Sequence, residues 1–447
     1  MSPLEARFDR VLSRLALPAG PAWVAVSGGP DSLVLMLLLA RSAAARHLGL
    51  VVAHVDHGIH PESGGVAEQV AAAARDLGLP FRSTRLALGE GASETRAREG
   101  RYRWLLQAAR DDGALLLTAH NRDDQVETVL MRFLEGSGLA GLAGMSFIAR
   151  PRAGDGATAT GIVRPLLGFG RLELRAWLRE QGVTAWEDPS NLDPRHLRGW
   201  IRTALLPMAE SREPAARDRV LRVAEAARLS RAAWENLLGV LPIDLRMVSD
   251  GISVASAPLR GYDFPLALSL VITLARQARL SLGPRRAARV VALLKNGRTG
   301  ARLELGQGWI AELNRDRLAL VRLPPVAAET AVEGGEGELA WGAWQVRWGP
   351  DRGAPPARRD AWTASVVPAA YRLGGWRPGD RIRPLGGAGS RLVVRCMQDV
   401  GVPRHQRPGW PVFRQGGVVV WVPGVCRSDA AVPGDGMEAM RIDVTHS

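Results

Sequence analysis

The chain has 447 residues, of which 46% are hydrophobic and 23% charged, and this composition is typical of a globular protein rather than a disordered or membrane-embedded one. The length exceeds what one hydrophobic core usually serves, so we expect two to three domains. The formal net charge of +13 favours a polyanionic partner such as nucleic acid, with a membrane surface as the weaker alternative. Because Lys295 is the single lysine, the arginine-based charge can equally reflect a codon bias of the genome.

The two cysteines, Cys396 and Cys426, are too few for a disulfide framework or for paired CxxC metal clusters. The first twenty residues mix charged side chains with apolar ones at helical spacing, and they lack the uninterrupted apolar core of a signal peptide. The apolar run 33–40 is too short to span a bilayer. We therefore expect no export and a cytoplasmic location.

Short β-rich apolar runs alternate with helical patterns in the first part of the chain, which is typical of a parallel sheet with crossover helices. The predicted strands cover 23–26, 50–55, 81–86 and 114–119, and the predicted helices cover 31–45, 64–77, 93–111 and 123–134. This order predicts a doubly wound α/β domain, in which ligands bind at the carboxyl ends of the strands. Three of the four strands end in polar, chemically capable residues, at 27–32, 54–58 and 120–124. The sequence therefore predicts one site at this edge of the sheet.

The alternation of strands and helices stops after residue 210, and Ala, Arg, Glu and Leu then recur at helical spacing. A Pro-, Gly- and charge-rich stretch and a last segment with a predicted strand at 418–422 follow. The predicted units are an α/β domain over 1–210, a small, mainly helical middle domain over 211–322, a linker and irregular segment over 323–370, and a small α+β domain over 371–447.

A glycine-rich turn follows the first predicted strand and opens the next helix, with the sequence Ser27-Gly28-Gly29-Pro30-Asp31-Ser32. Two glycines let backbone N–H groups face inward at a helix start, where the helix dipole also favours an anion. A phosphate is the natural occupant of such a turn. No lysine is available for a Walker A loop. The alternative is a simple turn in which Asp31 or Ser32 caps the helix.

This turn resembles the pyrophosphate-binding loop of the PP-loop ATP pyrophosphatases, which adenylate a carbonyl oxygen and release pyrophosphate. The motifs that follow resemble those of the tRNA(Ile)-lysidine synthase family. They are HVDHG at 54–58, ExxARxxRY at 94–102, AHxxDDQxET at 119–128, GSGxxGL at 136–142, RPLL at 164–167, EDPSN at 187–191 and RPGD at 377–380. The resemblance is dense over 21–207, thin over the middle of the chain and moderate over 371–427.

The resemblance implies an enzyme that uses ATP, Mg²⁺ and free lysine to convert the wobble cytidine of an isoleucine tRNA with a CAU anticodon to lysidine. The reaction would pass through an O2-adenylated intermediate, with release of pyrophosphate and AMP. The middle and C-terminal domains would contact the tRNA. No membrane partner is expected, and the sequence leaves open whether the chain forms a homodimer.

The resemblance also assigns site residues. ATP binding falls to Ser27, Gly28, Gly29, Pro30, Asp31, Ser32 and Asp56, and catalytic roles fall to Asp31, Arg98, Arg101, His120, Asp124 and Glu127. Asp124 and Glu127 are three residues apart on a predicted helix and so share a face, where they would hold the lysine. The alternatives are that the acidic residues only complement the helix dipole and that Arg98 and Arg101 lie on a solvated helix face. No convincing set of protein ligands for a metal is present, so none is assigned.

The chain departs from the family pattern at two positions in these motifs. Gly199 stands where relatives usually have Asn, and Asn121 stands where many relatives have a second histidine. These changes leave the phosphate loop and the carboxylates intact.

The tail combines arginines with aromatic residues, which suit RNA phosphates and unpaired bases, although a solvated basic face is the alternative. These residues are Arg377, Arg381, Arg383, Arg391, Arg395, Arg404 and Arg407 with Trp376, Trp410 and Trp421.

Two rival interpretations of the whole chain remain. One is another PP-loop adenylating enzyme, such as an amide-forming relative of the ammonia-dependent NAD synthetases. The other is a non-catalytic RNA-binding protein on an enzyme scaffold.

Overall fold

The computed structural model describes residues 1–56, 63–86, 94–149, 161–186, 193–248, 250–314, 316–323, 326–333, 335–352, 358, 361–434 and 436–446. The chain divides into two compact units, Met1–Glu235 and Asn236–Ser447. No helix in the described parts of the chain combines the length and apolar character that a membrane span requires.

The N-terminal unit alternates helices and strands in the predicted order. Its elements are α1 (Pro3–Leu15), β1 (Gly20–Ala25), α2 (Pro30–Arg41), β2 (Leu48–Asp56), α3 (Ser63–Asp76), β3 (Phe81–Arg85), α4 (Glu94–Asp111), β4 (Leu115–Leu117), α5 (Arg122–Leu134), α6 (Leu139–Leu142), β5 (Ile148–Ala149), β6 (Ile162–Val163), α7 (Arg171–Glu180), α8 (Leu197–Trp200), a π-helical turn (Ile201–Leu205), α9 (Leu206–Arg212) and α10 (Ala216–Val240). The predicted α/β fold class is confirmed, with strand and helix ends shifted by a few residues.

A six-stranded sheet lies at the centre of this unit, in the order β3-β2-β1-β4-β6-β5. All neighbouring strands are parallel except β5 and β6. The strand order reverses between β1 and β4, and ligands of open α/β sheets bind outside the carboxyl ends of strands at such a switch point. The turn after β1 and the turn after β4 therefore meet at one place.

Helix α2 is buried along most of its length, with each residue from Leu33 to Leu39 less than 9% exposed. Its apolar run is a core helix that packs with Val24 and Leu117 of the sheet in one hydrophobic cluster. The helix begins at Pro30, and proline suits the first helical position because its missing N–H would have no intrahelical partner there. The glycine-rich turn at 27–29 is thus attached to a deeply buried helix.

The C-terminal unit contains the rest of the chain. Its elements are β7 (Leu245–Val248), β8 (Gly251–Ala255), α11 (Ser256–Gly261), α12 (Phe264–Gln277), α13 (Pro284–Asn296), β9 (Arg302–Gly306), β10 (Trp309–Asn314), β11 (Arg317–Arg322), β12 (Thr330–Val332), β13 (Gly337–Trp341), β14 (Trp344–Pro350), β15 (Thr363–Val366), β16 (Tyr371–Gly374), β17 (Arg381–Ile382), β18 (Arg391–Leu392), α14 (Val393–Asp399), β19 (Val412–Gln415), β20 (Val418–Val422), β21 (Cys426–Arg427) and β22 (Met440–His446). The larger sheets run in the orders β7-β8-β11-β10-β9, β12-β16-β19-β20-β21 and β13-β14-β22-β15.

The segment 211–322 is mainly helical, in line with the expectation, and it also carries a five-stranded antiparallel sheet beside its helices. One expectation for this part of the chain needs correction. The segment 323–370, predicted to be irregular, contributes four strands, β12 to β15. The reason is visible in β14, which pairs with β13 on one side and with β22, near the end of the chain, on the other. Such distant pairing leaves no local sequence signal beyond short alternating apolar residues.

Candidate active site

The turn between β1 and α2 is organised around the hydroxyl of Ser32, which is buried. Ser32 Oγ accepts a hydrogen bond from Ser27 N at 3.1 Å and donates one to the carbonyl of Gly29 at 2.7 Å. Gly28 has φ +83°, and a Cβ there would lie 2.4 Å from Cγ1 of Val66. Glycine is therefore required at Gly28 both by the backbone conformation and by the close approach of α3.

Asp31 is the second residue of α2, and one of its oxygens faces the start of α5. Asn121 Nδ2 donates to Asp31 Oδ2 at 2.9 Å, and Arg171 Nε lies 3.8 Å from the same oxygen. Asp31 Oδ1 is buried without a hydrogen-bond partner among the described residues. Burial raises the pKa of Asp31 to about 6, against the opposing effect of Arg171 and with a further increase from Asp124. Asp31 is thus a buried carboxylate with a raised pKa and with one oxygen that accepts no hydrogen bond from the described residues.

Helix α5 begins with a capping box that fixes Asp124. Asn121 Oδ1 accepts from Asp124 N at 3.0 Å, and Asp124 Oδ2 accepts from Asn121 N at 3.0 Å. The other oxygen of Asp124 pairs with Arg171 Nη2 at 3.0 Å. Asp124 therefore does cap and complement the helix, as the structural alternative predicted, and it also takes part in an ion-pair network that extends to Asp31.

Glu127 lies one turn further along α5, and its side chain is 0% exposed. Three guanidinium groups surround it. Arg202 donates from Nε at 2.8 Å and Nη2 at 3.0 Å, Arg171 donates from Nη1 at 3.2 Å, and Arg198 Nε lies 3.1 Å from Oε2. Arg198 and Arg202 come from α8 and the π-helical turn, so residues more than 70 positions from Glu127 complete the network.

Arg171 is the residue that joins these groups, and sequence reasoning missed it. Its side chain is 15% exposed and contacts Asp31, Asp124 and Glu127. One signal could have identified it. Arg171 occupies the first position of α7, where the helix dipole disfavours a cation, so a carboxylate partner was to be expected.

His120 lies at the end of β4 and is held by two hydroxyl groups. Thr118 Oγ1 is 2.9 Å from Nδ1, and the Tyr102 hydroxyl is 3.3 Å from Nε2. Burial lowers the pKa of His120 to about 3, assisted by Arg164, Arg98 and two further arginines. The imidazole is therefore neutral at physiological pH, where one ring nitrogen donates and the other accepts.

Arg98 and Arg101 lie beside the same tyrosine on α4. Their Cζ atoms are 5.3 Å and 5.5 Å from the ring centroid of Tyr102. Because Tyr102 contacts His120, the structure brings together Arg98, Arg101 and His120. Arg98 is exposed, but both arginines also contact Tyr102. The alternative that they lie only on a solvated helix face is therefore incomplete.

Asp56 is the last residue of β2, the neighbour of β1, and it is buried. Arg85 Nε lies 3.5 Å from its Oδ2. His57 and the motif at 187–191 fall outside the described residues. Within the described ranges, no group of three or more His, Cys, Asp or Glu side chains is arranged to hold a metal ion.

The aromatic part of the predicted RNA surface in the tail needs correction. Trp410 and Trp421 are 9% and 1% exposed and belong to the hydrophobic core of the C-terminal unit. Their indole rings pack with other aromatic residues, Trp410 with Trp344 and Trp421 with Phe413. An alternating strand pattern with tryptophans on the buried face is hard to distinguish from an exposed aromatic surface in sequence alone.

Comparison with known proteins agrees with this architecture. Residues 2–209 match the model of the PP-loop domain, and residues 371–444 match that of the TilS substrate C-terminal domain. The tRNA(Ile)-lysidine synthase of Symbiobacterium thermophilum is 34% identical over 96% of this chain and 94% of that protein. Those of Thermus thermophilus and Pseudomonas aeruginosa are 35% and 33% identical, covering 94% and 92% of this chain and 71% and 91% of theirs. With a PP-loop domain and full-length relatives of this kind, the chain belongs to the tRNA(Ile)-lysidine synthase family of tRNA-modifying ligases.

Proposed function

We propose that this protein ligates lysine to C2 of the wobble cytidine in an isoleucine tRNA with a CAU anticodon, at the expense of ATP. The observation that carries the proposal is the contact set of Arg171, which reaches Asp31 beside the phosphate loop and Asp124 and Glu127 on α5. A loop suited to pyrophosphate and a carboxylate set suited to an amino acid thus form one site, as a two-step ligation at a single centre requires.

In the first step, O2 of the cytosine attacks the α-phosphorus of ATP, the bond to the β-phosphate breaks, and pyrophosphate leaves. The protein must stabilise the negative charge that develops on the leaving group. Backbone amides of the turn around Gly28 and Gly29, at the start of α2, supply neutral donors. Arg98 and Arg101 on α4 supply positive charge, and neutral His120 beside them offers a hydrogen-bonding group that does not add a competing charge.

In the second step, the ε-amine of lysine loses a proton and attacks C2, and AMP leaves with O2. Asp124 is the more accessible carboxylate for the lysine, since its side chain is 15% exposed whereas that of Glu127 is 0% exposed. In the arrangement described, lysine could reach Glu127 only by displacing a guanidinium group. We therefore assign the contact with lysine to Asp124, and we assign to Glu127 the support of the arginines around it.

Mg²⁺ bound to ATP would neutralise charge on the departing pyrophosphate. Proteins usually hold this ion through substrate phosphates and one or two carboxylates rather than through a full protein cage. Asp56, buried at the carboxyl end of the strand beside β1, is the carboxylate that we propose for it.

The middle and C-terminal parts of the chain would bind the tRNA. Exposed arginines such as Arg383 and Arg395 suit phosphate contacts, and the match of 371–444 to a substrate domain supports this role. A cytoplasmic location agrees with a tRNA substrate and with Cys396 and Cys426, which are both free and buried.

The test is release of pyrophosphate from ATP by the purified full-length protein. We expect release only when both lysine and a tRNA with an unmodified CAU anticodon are present. The Asp31→Ala variant should lose turnover while its affinity for the tRNA changes little. Arg228→Ala, which removes an exposed ion pair to Glu225 on α10, is the matched control and should retain activity.

Two results would contradict the proposal. Release with a small-molecule substrate and no RNA would indicate an amide-forming PP-loop enzyme instead. No release under any condition, with tRNA binding intact, would favour a non-catalytic RNA-binding protein.

A further inference from the structure

Asn121 is fully buried, at 0% exposure, and its polar groups join the starts of two helices. Its N and Oδ1 form the capping box with Asp124, its carbonyl accepts from Gln125 N at 3.2 Å, and its Nδ2 donates to Asp31 Oδ2 at 2.9 Å. One side chain therefore connects the helix of the phosphate loop with the helix of the carboxylates.

An amide is the side chain that this position requires. The cap needs an acceptor for Asp124 N, which Ser, Thr, Asp and Asn can all provide. The contact with Asp31 needs an N–H donor on the same side chain. Among the good capping residues, only Asn carries an acceptor and an N–H donor in one rigid planar group.

The direction of this contact determines which oxygen of Asp31 is available. Asn121 Nδ2 and Arg171 Nε both face Oδ2, whereas Oδ1 is buried without a hydrogen-bond partner among the described residues. A buried carboxylate oxygen without a donor carries a free-energy cost. A substrate that supplies a donor or a positive charge at Oδ1 would remove that cost.

We propose that Asn121 is a positioning residue, which orients Asp31 so that Oδ1 accepts a hydrogen bond or a cationic group from the bound substrates. This inference rests on the proposed function, because it assigns Asn121 a part in the same reaction.

Three variants separate positioning from helix capping. Asn121→Ser keeps a capping acceptor and loses the contact with Asp31. Asn121→Asp keeps the cap and places a second negative charge against Asp31. Ser2→Ala, which removes the capping box of α1 in the same unit together with a hydrogen bond from Trp177 Nε1, is the control for loss of a helix cap.

The measurements are the steady-state constants for pyrophosphate release and their pH dependence. We expect kcat to fall at least about tenfold in Asn121→Ser while KM for tRNA is unchanged, since a misoriented catalytic group costs rate rather than RNA binding. Loss of a hydrogen-bond donor raises the pKa of a carboxylate, and a new like charge beside it raises the pKa further. The acid limb of the pH–rate profile should therefore move to higher pH in both variants. The shift should be larger in Asn121→Asp. The other charged groups facing Asp31 are unchanged in these variants. They are Arg171 and Arg175 of α7, Asp124 of α5 and Arg202 of the π-helical turn.

Wild-type pH profiles in both Asn121 variants would overturn the proposal, as would an equal change in Ser2→Ala. If the wild-type protein released no pyrophosphate, the proposed function would fail, and the inference would be decided by carboxyl NMR titration of Asp31. An upward shift of the Asp31 pKa in both Asn121 variants would support it, and an unchanged pKa would overturn it.

Discussion

The guanidinium of Arg202 donates two hydrogen bonds to the carboxylate of Glu127, from Nε at 2.8 Å and from Nη2 at 3.0 Å. Glu127 is buried, Arg202 is partly exposed, and Arg171 and Arg198 approach the same carboxylate. Glu127 is therefore the anionic centre of an arginine cluster. Such a buried network depends on its complete set of partners, because removing one leaves uncompensated charge in a poorly solvated place.

Replacement of Glu127 by glutamine should destabilise the protein by about 3–5 kcal/mol, the usual cost of breaking a buried ion pair from one side. Glutamine has nearly the same volume as glutamate, so the loss of stability measures the effect of removing the negative charge. Urea unfolding measures it. Glu213→Gln is the control, because the pair of Glu213 with Arg219 is largely exposed and should contribute less than about 1 kcal/mol. Similar small losses in both variants would show that the arginines do not depend on Glu127.

The raised pKa of Asp31 predicts a pH-dependent stability. Burial raises this pKa from 3.8 to about 6, so the folded protein binds a proton there more tightly than the unfolded chain. The stabilising contribution is complete below pH 3.8 and is lost as the pH rises through 6. A shift of about two units corresponds to up to about 3 kcal/mol.

Asp31→Asn cannot ionise and should therefore gain stability relative to the wild type as the pH rises from about 4 to about 7, while losing pyrophosphate release. Urea unfolding over this range is the measurement. Glu173→Gln is the control, and its stability relative to the wild type should change with pH in the opposite direction. Burial of Glu173 is outweighed by hydrogen bonds from Arg7 and Gly170, which lower its pKa, so this variant should lose relative stability as the pH rises. A pH-independent difference for Asp31→Asn would contradict the assignment.

Gly28→Ala should be more costly than an ordinary substitution at a positive φ. The new Cβ would lie 2.4 Å from Cγ1 of Val66, in addition to a left-handed backbone cost of about 1–2 kcal/mol. Gly78→Ala is the control, since Gly78 has φ +66° and open space around it, and it should show the backbone cost alone.

The Val66→Ala change should partly rescue Gly28→Ala. A double-mutant cycle on unfolding free energy measures this coupling, which we expect to be about 1 kcal/mol or more in the favourable direction. Additive effects of the two substitutions would mean that α3 does not restrict the phosphate loop at this position.

The sheet and the glycine-rich turn after β1 could be predicted from sequence because their signals are local. The apolar runs of β1 and β4 and the glycines after β1 each lie within a few consecutive residues, and the switch-point rule then joins their carboxyl ends. In the structure the Ser32 hydroxyl bonds to Ser27 N and the Gly29 carbonyl, and a motif alone does not determine the direction of a hydroxyl.

The arginine cluster could not be predicted, because its members are brought together only by the tertiary fold. Arg171 and Arg202 lie 44 and 75 residues from Glu127. The strands of 323–370 escaped prediction for the same reason, since β14 pairs with β22 near the end of the chain. A local sequence pattern identifies individual helices and strands, whereas contacts between residues so far apart in the sequence depend on the packing of the whole fold.

Gly199 provides the last prediction, because its surroundings leave no space for a side chain. A Cβ at Gly199 would lie 1.9 Å from the carbonyl oxygen of Asp193, so a side chain fits only if the backbone at 193 moves. Helix propensity by itself favours asparagine over glycine, and any loss of stability in Gly199→Asn therefore reports this backbone contact. We expect a lower unfolding free energy and slower pyrophosphate release, since Arg198 and Arg202 flank Gly199 and both contact Glu127.

The control is the same substitution at an open helical position. Gly65 lies in the first turn of α3 with no atom within 4 Å of a built Cβ, so Gly65→Asn should change stability by no more than about 0.5 kcal/mol. Circular dichroism and urea unfolding of both variants make the comparison. If Gly199→Asn were as stable and active as the wild type, the close packing of Asp193 on α8 would not constrain the arginine cluster. The glycine would then not be part of how this chain holds Arg198 and Arg202 in place.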